Sequence, residues 1–168
     1  MGASVAYIGI GSNLDDPEQR VRDAIAALSR LPRSRLVRAS RLFRTPPWGN
    51  LTQPDFVNAA AMLETELAPR ELLDALLDIE CAAGRYRDGA RWGPRRIDLD
   101  ILLYGDRLVA EADLKIPHPH IAERAFVLLP LLDLDEYLSV PGQGRVADLL
   151  ARLDAAGCTP IAGTTRAP

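Results

Sequence analysis

The stretch Phe56-Val57-Asn58-Ala59-Ala60-Ala61-Met62-Leu63-Glu64-Thr65-Glu66-Leu67, followed at once by Pro69-Arg70-Glu71, decides the fold. Val57, Ala59, Ala61, Leu63 and Thr65 recur at period two, with Glu64 and Glu66 on the opposite side. That alternation predicts a strand with one buried face. The pattern then changes. Pro69 suits a first helical turn, Leu72, Leu76 and Ile79 form a stripe at helical spacing, and Gly84 suits a helix end.

The same grammar extends in both directions. Upstream, Val5 to Ile10 is a short apolar run ending in Gly11-Ser12-Asn13, which predicts a strand and a turn. Asp16-Pro17-Glu18 opens a helix with Val21, Ile25, Leu28 and Leu31 on one face, stopped by Pro32. Leu36 to Phe43 reads as a second strand, and Thr45 to Asn50 as a Pro- and Gly-containing loop. Downstream of a polar, Arg-rich loop from Gly84 to Pro94, Ile97 to Tyr104 reads as a fourth strand. Gly105-Asp106 suggests a hairpin returning through Leu108-Val109. Ala122 to Leu132 reads as a helix stopped or kinked at Pro130, and a short helix is expected near Val146 to Leu153.

The order strand, helix, strand, strand, helix, strand predicts an α+β fold. It is the ferredoxin-like βαββαβ antiparallel sheet, with helices on one face and C-terminal additions. Residues 1–168 are read as a single domain. With 48% apolar residues the chain can bury a core, and no apolar run approaches the roughly 20 residues of a membrane span. Met1 to Val5 lacks the pattern of a secretory signal, and Ala6 stands where a myristoylation pattern needs Ser or Thr. Cys81 and Cys158 are too isolated for a disulfide framework or a zinc site, so a cytoplasmic location is expected. A net charge of −3 speaks against a general polyanion binder. Locally, however, Arg85, Arg87, Arg91, Arg95 and Arg96 cluster, opposed only by Asp88.

The strongest chemical signal follows that cluster. On a strand from Ile97 to Ile101, Asp98 and Asp100 share one face, and Ile97, Leu99 and Ile101 share the other. Two carboxylates about 7 Å apart repel unless a cation lies between them. Mg²⁺ takes such ligands together with substrate phosphates and water. The alternative is a solvated outer strand face. The arginines offer forked donors suited to phosphate oxygens, or they solubilise a loop. Pro117-His118-Pro119-His120 holds both histidines; it suits a neutral hydrogen-bonding role near a nucleotide better than zinc, or a Pro-fixed structural loop. Gly9-Ile10-Gly11-Ser12-Asn13-Leu14 is neither a dinucleotide fingerprint nor a P-loop, because Leu14 replaces the third glycine and no Gly-Lys-Ser/Thr follows. Trp48, Phe56 and Phe126 are candidate core aromatics, or stacking faces for a flat heterocycle.

Taken together these residues resemble the hydroxymethyldihydropterin pyrophosphokinases of folate synthesis, from Val5 to about Leu132. The matching segments are Gly9 to Leu14, Arg44-Thr45-Pro46-Pro47, Gln53 to Ala59, Glu80 with Gly84-Arg85, Arg91 to Arg95 with Asp98-Leu99-Asp100, and Pro117-His118 with Arg124-Ala125-Phe126. The resemblance implies that Asp98 and Asp100 hold two magnesium ions bridging the phosphates of ATP, the co-substrate. It implies that Arg85 and Arg95 neutralise the transferring group, and that Trp92 and Arg95 lie on a loop closing over the site. Glu80, Arg87, Ile101, His118 and Arg124 would belong to the ATP side. Thr45, Pro46, Pro47, Trp48, Phe56, Asn58 and Phe126 would form the pterin pocket. It further implies attack on the β-phosphorus and release of AMP; the chain is expected to be a monomer, and its charge and lack of an apolar span lead to no expected nucleic-acid or membrane partner. Pro119, Leu77 and Trp48 depart from residues common at those positions in the family. Two rival readings use the same residues: a metal-dependent phosphohydrolase, and a sheet that binds RNA through its aromatics.

Overall fold

The computed structural model describes residues 2–47, 52–84 and 97–162. Its elements run β1 (Ser4–Ser12), α1 (Pro17–Leu28), β2 (Ser34–Ala39), β3 (Phe43–Thr45), β4 (Phe56–Thr65), α2 (Pro69–Ala82) and β5 (Asp98–Tyr104). There follow β6 (Val109–Ala110), β7 (Lys115–Ile116), a 3₁₀ turn (Ile121–Glu123), α3 (Ala125–Leu134), β8 (Ser139–Val140), β9 (Gly144–Arg145), α4 (Val146–Ala151) and β10 (Thr159–Pro160). The chain thus forms a mixed α/β fold on an antiparallel sheet.

The main sheet has the order β10-β3-β4-β1-β5, with β2 also on β4. β4 is the strand its alternation predicts, and it lies inside the sheet with both faces covered: Val57, Ala59, Ala61 and Leu63 are buried on one face and Ala60 on the other. The first face also takes Ala6, Ile8 and Ile10 of β1 and Leu99 and Ile101 of β5. Against it pack α1, through Val21, Ala24 and Leu28, and α2, through Leu72 and Leu76. Asp16 caps α1, its side chain accepting from the Gln19 N–H. Ala68 offers α2 no side-chain cap, but the Glu71 carboxylate reaches back to the Ala68 N–H at 3.0 Å.

Four sequence expectations need correction. The second strand is two strands, β2 and β3, which lie end to end along β4, opposite 61–65 and 56–58 respectively. The break follows from Asp133, whose carboxylate takes the Arg41 N–H between them at 2.8 Å. Val109 does not return along β5; it pairs with Ile116 in a separate two-stranded ribbon. The helices are not confined to one face. α3 and α4 cover the other face with Leu128, Leu131, Leu134, Val146 and Leu149 packed on Tyr7, Ala60, Leu102 and Leu103. Pro130 does not stop α3, which continues to Leu134. Proline forfeits a helical hydrogen bond at a cost of about 3 kcal/mol. Burial of three leucines at about 1.5–3 kcal/mol each exceeds that cost.

A register shift between Tyr7 and Ile8 gives β5 one extra residue opposite β1. Leu102 and Leu103 therefore both reach the α3 layer, and Tyr104 turns into the other core. Asp98 and Asp100 lie on the same side of β5 as Leu102, facing the N-terminal end of α3.

Candidate active site

At the end of β1 the sheet is thinned by Gly9 and Gly11. A Cβ on Gly9 would stand 3.2 Å from Leu102 Cδ2, and one on Gly11 would stand 2.6 Å from Asn58 Oδ1. The second distance is impossible without moving the carboxamide, so the glycine is what lets Asn58 lie across β1. Together they floor a cavity whose walls are Thr45 and Pro46 of the β3 end, Phe56 and Asn58 of β4, Asp98 and Asp100 of β5, His118, and Arg124 and Phe126 at the start of α3. These come from five separate segments, and all nine were singled out in the sequence.

The walls divide by chemistry. On one side Asn58 Nδ2 donates to Thr45 Oγ1 at 2.7 Å, which fixes the carboxamide and directs Oδ1 toward Gly11. Phe56 and Phe126 are half-buried and supply flat apolar faces. Nearby, Asn13 donates to Gln53 Oε1 at 2.9 Å and to the Pro54 carbonyl at 3.1 Å, tying the β1 turn to the approach to β4. On the other side lie the carboxylates and Arg124, which is buried and whose Cζ stands 5.6 Å over the Phe126 ring. Burial lowers the Arg124 pKa from its usual value, while Asp100 and Asp98 act in the opposite direction. The guanidinium is in the field of both carboxylates.

His118 is held by its backbone N–H on the Leu102 carbonyl at 3.0 Å. The His120 N–H donates to His118 Nδ1 at 3.1 Å, so the proton of the neutral ring is assigned to Nε2. Burial first, then the charges of Arg124 and His120, push the His118 pKa down to about 4. The ring is neutral at physiological pH and can donate from Nε2. His120 bonds Glu123 Oε2 through Nδ1 at 2.8 Å, which leaves His118 as the histidine of the cavity wall.

Three nominated residues stand elsewhere. Glu80 is buried behind β5, where Oε2 accepts the Leu99 N–H at 2.7 Å. It grips the backbone between Asp98 and Asp100 from α2. Ile101 belongs to the α1–α2 core, and Pro47 is buried outside the cavity lining. Trp48, Arg85, Arg87, Trp92 and Arg95 lie outside the described residues, as does the loop from Arg85 to Pro94. The cavity also uses Gly9, Ile10, Gly11, Ala59, Leu102 and Val127; the first four stand in family-like segments of the sequence, but nothing there gives any of the six a site role. Glycine inside a strand is a signal for close approach, and it was available at Gly9 and Gly11.

Among the described residues no group of three or more His, Cys, Asp or Glu gathers as a self-sufficient metal cage. Two same-face carboxylates are nonetheless the donor set that suits Mg²⁺ when phosphate oxygens complete its shell. An antiparallel α/β fold that gathers this carboxylate pair, a guanidinium and aromatic side chains in one cavity has the kinds of group that phosphate-handling enzymes use.

The family model for 7,8-dihydro-6-hydroxymethylpterin-pyrophosphokinase (HPPK) matches residues 7–136, and the chain belongs to that family. A 2-amino-4-hydroxy-6-hydroxymethyldihydropteridine pyrophosphokinase of Pseudomonas aeruginosa is 47% identical over 162 residues, 96% of each chain. The enzyme of that name from Methylorubrum extorquens is 44% identical, covering 90% of this chain and 95% of its own. In shape, the HPPK-DHPS structure of Plasmodium falciparum matches with a TM-score of 0.72 at 14% identity. The match covers 95% of this chain and 46% of that one, so this chain spans less than half of that longer polypeptide. The chain is accordingly a pyrophosphokinase-family transferase of folate biosynthesis.

Proposed function

We propose that the chain transfers pyrophosphate from ATP to 6-hydroxymethyl-7,8-dihydropterin, giving AMP and the pterin diphosphate. The observation that carries this reading is the meeting, in one cavity, of the carboxylate pair with the Phe56, Asn58 and Phe126 wall. The bond that forms joins the pterin hydroxymethyl oxygen to the β-phosphorus. The bonds that break join that phosphorus to the oxygen bridging the α-phosphate, which leaves with AMP, and the hydroxymethyl oxygen to its proton, which is released to solvent.

Phe56 and Phe126 stack the ring, and Asn58 reads its edge with Oδ1 and its remaining N–H. Thr45 fixes the amide, and Pro46 bounds the slot. Asp98 and Asp100 would hold Mg²⁺, two ions in the finer reading, and the metal would supply neutralisation of phosphate charge. Arg124 and the neutral Nε2–H of His118 steady the nucleotide. Arg85, Arg87, Trp92 and Arg95 are proposed, on the sequence resemblance, to complete the phosphate side and close over it. Glu80 and Ile101, also placed on the ATP side by that resemblance, act from behind β5 as supports of the strand. The described residues offer no evident base for the pterin hydroxyl. Positioning and electrostatics therefore carry the rate.

Strand order β5-β1-β4 with β2 and β3 beyond supports the finer description of the fold as ferredoxin-like. We take 1–168 as one domain acting as a cytoplasmic monomer without nucleic-acid or membrane partners. Among the described residues no helix is long and apolar enough to cross a membrane. Calorimetry with a non-hydrolysable ATP analogue and the pterin tests the two-substrate cavity. Each should bind once per chain, and saturable pterin binding should vanish in Phe126→Ala. A chain that hydrolyses ATP equally with and without pterin is instead the phosphohydrolase.

A further inference from the structure

The family match ends at residue 136, yet the chain returns to the cavity wall after that point. β10 pairs with β3 in the register Thr159↔Arg44 and Pro160↔Phe43. The Ile161 N–H donates to the Leu42 carbonyl at 2.9 Å, and the Ile161 side chain packs on the α1–α2 core. The preceding turn is closed by Ala156 N–H on Asp154 Oδ1 at 3.0 Å and Cys158 N–H on the Ala155 carbonyl at 3.0 Å. At its tip, a Cβ on Gly157 would meet Pro46 Cγ at 3.1 Å and Cδ at 3.2 Å. Gly157 is not among the positive-φ glycines, so its backbone admits a side chain and only Pro46 opposes one.

Pro46 lines the cavity beside Thr45, whose hydroxyl anchors Asn58. β3 is three residues long and has β4 as its other neighbour. Such a short edge strand defines its position poorly without a second partner. A proline ring also cannot swing aside by changing rotamer; pressure on Cγ or Cδ passes to the backbone of Pro46 and Thr45.

We propose that the segment Asp154 to Ile161 is a brace for the pterin wall, and that Gly157 is a positioning residue setting the place of Pro46 and Thr45. The proposal rests on the reading of this wall as the pterin side of the site. Its prediction is selective: perturbing the brace alters pterin recognition and spares the phosphate side, which stands on β5 and α3.

The test compares wild-type protein with Gly157→Val, Gly157→Ala and, as a control outside the brace and the cavity, the exposed Leu108→Ala. Pterin and a non-hydrolysable ATP analogue are titrated separately, and initial rates give KM and kcat. Gly157→Val should weaken pterin binding and raise its KM by roughly three- to tenfold, the order expected when a packed wall shifts by a fraction of an ångström. Gly157→Ala should do so less. Nucleotide affinity, kcat at saturating pterin and all constants of Leu108→Ala should stay within about twofold of wild type, a difference under about 0.5 kcal/mol. If Gly157→Val does not fold, Gly157→Ala alone carries the comparison. Equal pterin constants in every folded variant overturn the brace. Equal losses for pterin and nucleotide also overturn it, because they mark a general structural defect. Wild-type protein that binds nucleotide but no pterin overturns the reading of the wall, and the brace with it.

Discussion

Asp98 and Asp100 carry the first prediction. They share the cavity face of β5 while Leu99, between them, is buried in the opposite core. Asp98→Asn keeps the shape of the side chain and removes the charge that a divalent cation needs. Turnover should fall by about a hundredfold or more, with an unchanged circular-dichroism spectrum and melting midpoint. Near-normal turnover at saturating Mg²⁺ would remove Asp98 from the metal site. His118 carries the second. Its folded pKa of about 4 lies below the usual value of 6.5, so the folded chain resists the proton that the unfolded chain accepts. The contribution of the neutral ring is complete above pH 6.5 and is lost as the pH falls from there toward about 4. His118→Gln should flatten that part of a plot of melting midpoint against pH, and an identical slope in both proteins would contradict the burial argument.

At the scale of elements, two contacts from outside the cavity fix its walls. Glu80 reaches from α2 to the Leu99 N–H and so sets the position of β5. Glu80→Ala leaves that buried donor unmatched and should cost about 1–3 kcal/mol in denaturant unfolding. Turnover should fall too, since the strand carrying both carboxylates loosens; full activity would show that β5 needs no support. Asp133 of α3 takes the Arg41 N–H at 2.8 Å and the Arg41 guanidinium at 3.0 Å, linking the start of β3 to the helix that carries Phe126. Much of this level was legible in the sequence. Strand β4 follows from its alternation, and α1 and α2 from their caps and stripes. What was illegible depends on partners distant in the chain. Leu36 to Phe43 reads as one strand until Asp133, ninety-two residues away from Arg41, is seen to claim its middle. Pro130 reads as a stop or a kink, and the choice against a stop shows only when the leucines around it are seen to be buried.

For the whole molecule, the antiparallel sheet brings chemistry from distant segments to one end. Gly11 pairs with Asn58 on one side and Asp98 on the other, so adjacent strands present the amide and the carboxylate across a glycine. The sequence names these residues, but only the strand order makes them neighbours. The resemblance puts Glu80 on the ATP side, and spacing alone does not show that its carboxylate also takes the Leu99 N–H. The central claim is that this juxtaposition serves pyrophosphoryl transfer, and the nucleotide product tests it most directly. The protein is incubated with ATP, Mg²⁺ and 6-hydroxymethyl-7,8-dihydropterin, and the mixture is resolved by chromatography. AMP and pterin diphosphate should appear in equal amounts, and neither should form without the pterin. ADP with a pterin monophosphate, or nucleotide breakdown that ignores the pterin, would contradict the account.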